Sequence, residues 1–128
     1  MNASAKRLLV VDDALIMRAI IKDAARQAGW EIVGEAATGS EAVAKFDELQ
    51  PDLTTLDIVM PEMDGVEALR VIRREHPDAR IVMITAIDQR AKLEECIRLG
   101  AIDFVVKPFE KDRLLSLFSG YLPKESST

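Results

Sequence analysis

Five short apolar runs alternate with five segments of helical periodicity, and that alternation leaves the chain few ways to fold. Residues 8–11, Leu-Leu-Val-Val, carry no polar interruption. Such a run reads as a strand buried on both faces, as in a parallel sheet covered on both sides. Residues 14–28 follow as a helix, with Ile16, Ala19, Ile20 and Ala24 recurring at helical spacing and Gly29 as its stop. Residues 31–35 alternate in polarity and make a second strand nearer a sheet edge. Ser40 is the expected N-cap of a second helix that turns Ala42, Val43 and Phe46 inward. A central strand of about six residues then ends at Asp57, because Pro61 cannot continue a ladder and biases Met60 toward extended backbone. The third helix carries Val66, Leu69 and Ile72 and closes at His76-Pro77-Asp78. Residues 80–85 form a fourth strand ending in Thr85. Asp88 can cap a fourth helix that runs through Leu99, with an inner stripe of Leu93, Cys96 and Ile97 and Gly100 as its stop. Residues 101–106 make the fifth strand, cut off by Lys107-Pro108-Phe109. The last helix runs from Glu110 to Leu122 with Leu114, Leu117, Phe118 and Tyr121 on one face. Strict alternation of this kind implies an α/β fold, a doubly wound five-stranded parallel sheet with helices on both faces. One domain is expected, with its core over residues 6–122, a polar tail over 123–128 and no appended output domain.

Composition removes several functions. A chain of 128 residues buries roughly two-thirds of the surface its unfolded form exposes, enough for one self-sufficient core. A net charge of −5 argues against attraction to a nucleic-acid backbone. Cys96 is the sole cysteine and His76 the sole histidine, so disulfides, CxxC centres and zinc sites of several His or Cys ligands are excluded. Neither GxGxxG nor GxxxxGK[ST] occurs, which removes dinucleotide and P-loop readings. The apolar run after the basic residues near the start is too short for a signal peptide, and no run approaches the ~18 residues of a membrane span. A cytoplasmic location without membrane attachment is the expectation by elimination.

The chemistry gathers where strands end. Asp12 and Asp13, Asp57, Thr85 and Lys107 each terminate an apolar run, and parallel strands bring such ends to one edge. Three carboxylates that close repel one another unless a cation lies among them. Mg²⁺ suits an all-oxygen donor set of this kind and pairs readily with phosphate oxygens. Lys107 supplies a positive charge and Thr85 a hydroxyl donor. The set therefore fits a phosphoryl group carried on a carboxylate. Plainer roles exist for each residue. Asp13 can cap the first helix, Asp57 can be a loop aspartate, Thr85 and Phe104 can be packing residues, and Lys107 can be solvated. Cys96 and His76 read as a core thiol and a helix-end histidine.

Taken jointly, Val11-Asp12-Asp13, Leu56-Asp57, Met60-Pro61-Glu62-Met63-Asp64-Gly65, Thr85-Ala86 and Lys107-Pro108-Phe109 resemble the receiver domain of two-component response regulators. Val11-Asp12-Asp13-Ala14 and Met17-Arg18 make the chain most similar to the CheY-like single-domain chemotaxis members. The resemblance implies a flavodoxin-like (βα)5 sheet with strand order 2-1-3-4-5. It makes Asp57 the phosphoacceptor for a histidine kinase. Asp13, Asp57 and the backbone carbonyl of Val59 would bind Mg²⁺, and Asp12 would act through water. Thr85 and Lys107 would contact the phosphoryl oxygens, and the Lys107–Pro108 peptide would be cis. Phe104 would be the aromatic switch, turning inward as Thr85 is drawn to the phosphate.

Three departures or variable features bear on function. Phe104 stands for a tyrosine, Ile58 stands where some members carry tryptophan, and Val59 and Ile87 are both apolar. In the family these last two positions influence hydrolysis of the acyl phosphate, so slow loss of phosphate is expected unless a phosphatase assists. The implied function is a motility switch acting by protein–protein binding on a target such as a flagellar switch component. It would be a monomer or weak dimer and no enzyme beyond self-phosphorylation and slow autodephosphorylation. The alternatives are a phosphorelay intermediate that passes phosphate to a histidine phosphotransfer domain, a flavin-binding module, and an aspartyl-phosphate hydrolase. The hydrolase would want a second acid close after its nucleophile, which Asp57-Ile58-Val59 lacks. Asp12 and Asp13 would repel a flavin's phosphate.

Overall fold

The computed structural model describes residues 6–123. The polar tail expected after Leu122 lies, apart from Pro123, outside the described residues. In chain order the elements are β1 (Arg7–Val11), α1 (Leu15–Gln27), β2 (Glu31–Ala36), α2 (Gly39–Leu49), β3 (Leu53–Asp57), α3 (Gly65–Glu75), β4 (Ile81–Ala86), α4 (Arg90–Arg98), β5 (Asp103–Lys107) and α5 (Lys111–Tyr121). The strands form one parallel sheet in the order β2-β1-β3-β4-β5. Winding reverses between β1 and β3, which opens a crevice at their carboxyl ends.

The unbroken apolar runs are explained by two cores. Leu9, Val11, Leu56, Ile58, Ile81 and Met83 face α2, α3 and α4, where they meet Phe46, Leu69, Ile72 and Cys96. Leu8, Val10, Leu53, Val82, Ile84 and Val105 face α1 and α5, against Ile21, Ala24, Leu114 and Phe118. Trp30 joins this second core and donates its indole N–H to the Phe118 carbonyl at 2.9 Å, so its polar handle is satisfied where it is buried. No helix among the described residues is long and apolar enough to cross a membrane.

Several helix details differ from the sequence expectation. In α1 the sheet-facing stripe is Met17, Ile21, Ala24, Ala25 and Ala28, whereas Ile16 is 73% and Ile20 43% exposed. Both stripes have helical spacing, and the small alanines decide between them by letting the helix approach the sheet closely. The N-cap of α2 is Thr38, whose hydroxyl accepts from the Glu41 N–H at 3.1 Å, and Ser40 lies inside the helix. Asp88 caps nothing in α4, where Gln89 holds the N-cap position without a side-chain bond. Ile97 is exposed, and Leu93 and Leu99 pack against the core beside Cys96. The fifth strand begins at Asp103, two residues later than expected.

Gly65 starts α3 directly under the end of β3. A Cβ there would fall within the van der Waals shell of the Asp57 carbonyl oxygen and 2.8 Å from Ile58 Cα. The Gly65 N–H meanwhile donates to the Ile58 carbonyl at 2.7 Å. Gly65→Ala is therefore expected to lower unfolding free energy by about 1–3 kcal/mol, the usual cost of forcing atoms into a packed site. Urea unfolding checks this, and a loss below the error of the method contradicts the close approach.

Candidate functional site

Strand alternation aims three of the polar termini at one face of the sheet. Asp12 stands two residues beyond Val10, Asp57 four beyond Leu53, and Lys107 two beyond Val105, all members of the α1–α5 core. The register pairs Val10 with Thr55 and Val11 with Leu56, which brings Asp12 and Asp57 level across β1 and β3. Lys107 reaches across the end of β4 and donates to Asp12 Oδ2 at 3.2 Å and to Asp57 Oδ2 at 3.4 Å. Asp12 is fully buried and Asp57 is 5% exposed, while Asp13 is open to solvent.

Every polar group of Asp12 is engaged. Its N–H donates to the Ala36 carbonyl at 3.0 Å, and its Oδ1 accepts from the Ala14 N–H at 2.9 Å. Its Oδ2 takes Lys107. The helix-start role considered for Asp13 is not used, since Ala14 occupies the N-cap of α1. One carboxylate oxygen from each of Asp12, Asp13 and Asp57 lies within 4.8 Å of the other two. Burial pushes the Asp57 carboxyl up from 3.8 to about 6, the charge of Asp12 adds to this, and Lys107 only partly offsets it. Lys107 is partly buried, which opposes its charge, but Asp57 and Asp12 outweigh that and hold its ammonium above the usual range. The result is a crowded, under-neutralised oxygen cluster, and a hard divalent cation fits that donor set.

The other expected site residues are placed nearby but differently. Thr85 is buried, and alternation with Ile81 and Met83 puts it on the opposite, α4 side of the sheet. Its hydroxyl donates to the Ala86 carbonyl at 3.1 Å. Phe104 pairs in register with Met83 on the same side and is 38% exposed. Its carbonyl accepts from Arg113 at 2.9 Å. Val59 and Ile87 are exposed beside the strand ends. The Lys107–Pro108 peptide is cis. Cys96 is buried and its thiol is pushed up to about 11, chiefly by desolvation, which makes it an inert core thiol. His76 C-caps α3 and sits 3.2 Å from an Asp47 oxygen.

One participant escaped the sequence reading as a site residue. Arg18, one turn into α1, donates to the Asp12 carbonyl at 2.7 Å and to Glu35 Oε1 at 2.9 Å. Its Glu35 partner lies on the neighbouring strand, and nothing in local spacing announces that contact.

Comparison with known proteins gives a consistent picture. The family model described as the response regulator receiver domain matches residues 8–119. The chain is 50% identical over 109 residues to the chemotaxis protein CheY of Listeria monocytogenes, covering 85% of this chain and 92% of that protein. It is 48% identical over 110 residues to CheY of Thermotoga maritima, covering 86% and 92%. Among solved structures, a chain of the CheX–CheY–BeF3–Mg²⁺ complex from Borrelia burgdorferi superposes with a TM-score of 0.84 at 32% identity. That match covers 91% of this chain and 90% of the other.

Proposed function

Since this chain belongs to the response regulator receiver domain family, we propose that it is a phosphorylation-activated signalling switch of the CheY-like kind, with Asp57 as the phosphoacceptor. The observation that carries this reading is the meeting of Asp12, Asp13 and Asp57 within 4.8 Å, with the Lys107 ammonium 3.4 Å from Asp57. A carboxylate oxygen of Asp57 attacks the phosphorus of a phosphohistidine on a kinase. An O–P bond forms as the P–N bond breaks, and the departing imidazole takes the electron pair and a proton from solvent. Lys107, already turned toward Asp57, pairs with a phosphoryl oxygen and holds the group in line. Asp13, Asp57 and the Val59 carbonyl would hold Mg²⁺, with Asp12 acting through water. Mg²⁺ bound there supplies positive charge against both the carboxylates and the incoming phosphoryl oxygens.

Transmission runs through the other face of the sheet. The Thr85 hydroxyl leaves the Ala86 carbonyl for a phosphoryl oxygen, which opens space that Phe104 fills from its half-exposed position. A population shift of this sort needs only that the phosphorylated state favour one of two arrangements. Exposed Ile97, Ile102 and Phe104 lie on or beside α4 and β5 and offer a surface that the shift can remodel for a protein target. The likeness to chemotaxis CheY proteins supports a chemotaxis role, with a flagellar switch component as the expected target and a histidine kinase as donor. The switch occupies residues 6–122 as a single domain.

The test is incubation with acetyl phosphate and Mg²⁺ followed by intact-mass measurement. Uptake of one phosphoryl group is expected, and EDTA should prevent it. Because Val59 and Ile87 offer no polar side chain to orient a water, the adduct should decay slowly once donor is removed. Uptake that ignores EDTA contradicts the metal role, and a lifetime of only seconds contradicts the account of hydrolysis.

A further inference from the structure

We propose that Arg18 is a positioning residue for the acidic cluster, acting through the peptide that links Asp12 to Asp13. The inference rests on the reading of that cluster as an Mg²⁺ site. The Asp12 carbonyl that accepts from Arg18 Nη1 at 2.7 Å belongs to the plane of that peptide. Fixing the direction of the carbonyl fixes where the next Cα lies. Asp13 is exposed, so the backbone has the larger share in placing its carboxylate. Asp12 is held at its N–H and at both carboxylate oxygens, and Arg18 takes the remaining polar atom.

The guanidinium is itself braced. Its Nε donates to Glu35 Oε1 at 2.9 Å, while Lys22 holds Glu35 Oε2 at 2.7 Å. The Lys22 hydrogen bond, working against burial and helped by Arg18, keeps the Glu35 carboxyl below its ordinary range. The Arg18 side chain is only 16% exposed. A planar fork that gives one N–H to a carbonyl and another to a carboxylate is something a lysine cannot reproduce. Arg18 therefore ties α1, the β1–α1 turn and β2 into one rigid support.

Charge and positioning make opposite predictions here. Removing a positive charge beside a cation site should by itself tighten cation binding. Removing a support should loosen it, and outer-shell partners of metal ligands typically matter by about tenfold or more. The experiment is an MgCl₂ titration of the full chain, followed by the amide NMR shifts of Asp13 and Asp57, with urea unfolding as the check on folding. Arg18→Ala and Arg18→Lys are each expected to weaken Mg²⁺ binding about tenfold relative to wild type. Glu35→Gln, which keeps an acceptor for Nε, should weaken it less than either. Arg18→Lys retains the charge and is the safer fold, so it decides the matter if the alanine variant unfolds. Wild-type affinity in Arg18→Lys, or tighter binding in a folded Arg18→Ala, overturns the positioning role while leaving the metal site intact. A wild-type protein whose amides do not move with Mg²⁺ overturns the metal site itself, and the role of Arg18 with it.

Discussion

Asp57→Ala is expected to take up no phosphoryl group from acetyl phosphate and Mg²⁺ under conditions that load the wild type. The neighbouring acids cannot take over, for structural reasons. Asp12 is fully buried, with Oδ1 tied to the Ala14 N–H and Oδ2 to Lys107. An attack from Oδ1 would break the turn that starts α1, and one from Oδ2 would displace Lys107. Asp13 is accessible, but the Lys107 ammonium is directed at Asp12 and Asp57, so phosphoryl oxygens on Asp13 would lack its charge. Asp57 pairs its Oδ2 with Lys107 at 3.4 Å and keeps 5% exposure where Asp12 has none. Intact mass and peptide mapping read the outcome. An adduct on Asp57→Ala at the wild-type rate would show that the acceptor lies elsewhere.

The second large effect is on stability. Asp57 titrates at about 6 in the folded protein against 3.8 for an ordinary aspartate. Between those two values the folded state holds more protons than the unfolded state, so stability falls as pH rises through the window. Above it the buried, crowded carboxylate costs the metal-free protein up to about 3 kcal/mol, at 1.36 kcal/mol per pKa unit. Asp57→Asn removes that charge while Asp12 continues to pair with Lys107. The variant should therefore be more stable than wild type by about 1–3 kcal/mol at pH 8 in EDTA. At pH 4 the difference should nearly vanish. Saturating Mg²⁺ should narrow the gap at pH 8, because a ligand of the folded wild type alone stabilises it by mass action. Urea denaturation at the two pH values, with and without metal, measures all of this. A gap that is absent at pH 8, or equal at both pH values, contradicts the electrostatic account.

The sheet was legible because burial on both faces leaves its strands as uninterrupted apolar runs. Leu8 to Val11 and Ile81 to Ile84 need no partner information to be read this way. The convergence of Asp12, Asp57 and Lys107 followed from topology, since parallel strands share one functional edge. Helix faces were harder. Ile16 and Ile20 mimic a core stripe in α1, and only the packing of Ala24 and Ala25 against the sheet shows which side is inner. Capping at Thr38 rather than Ser40 turns on a single hydroxyl bond, below what composition resolves. Arg18 and Glu35, 17 residues apart, meet only because β2 lies beside β1. Local pattern carries no trace of that pairing.

Carbon-13 NMR of the Asp57 carboxyl, titrated with and without Mg²⁺, bears most directly on whether these acids share a cation. Without metal the midpoint should fall near 6, and saturating Mg²⁺ should move it well below that value. A midpoint near the ordinary 3.8 that Mg²⁺ leaves unchanged would contradict both the crowding and the site built on it.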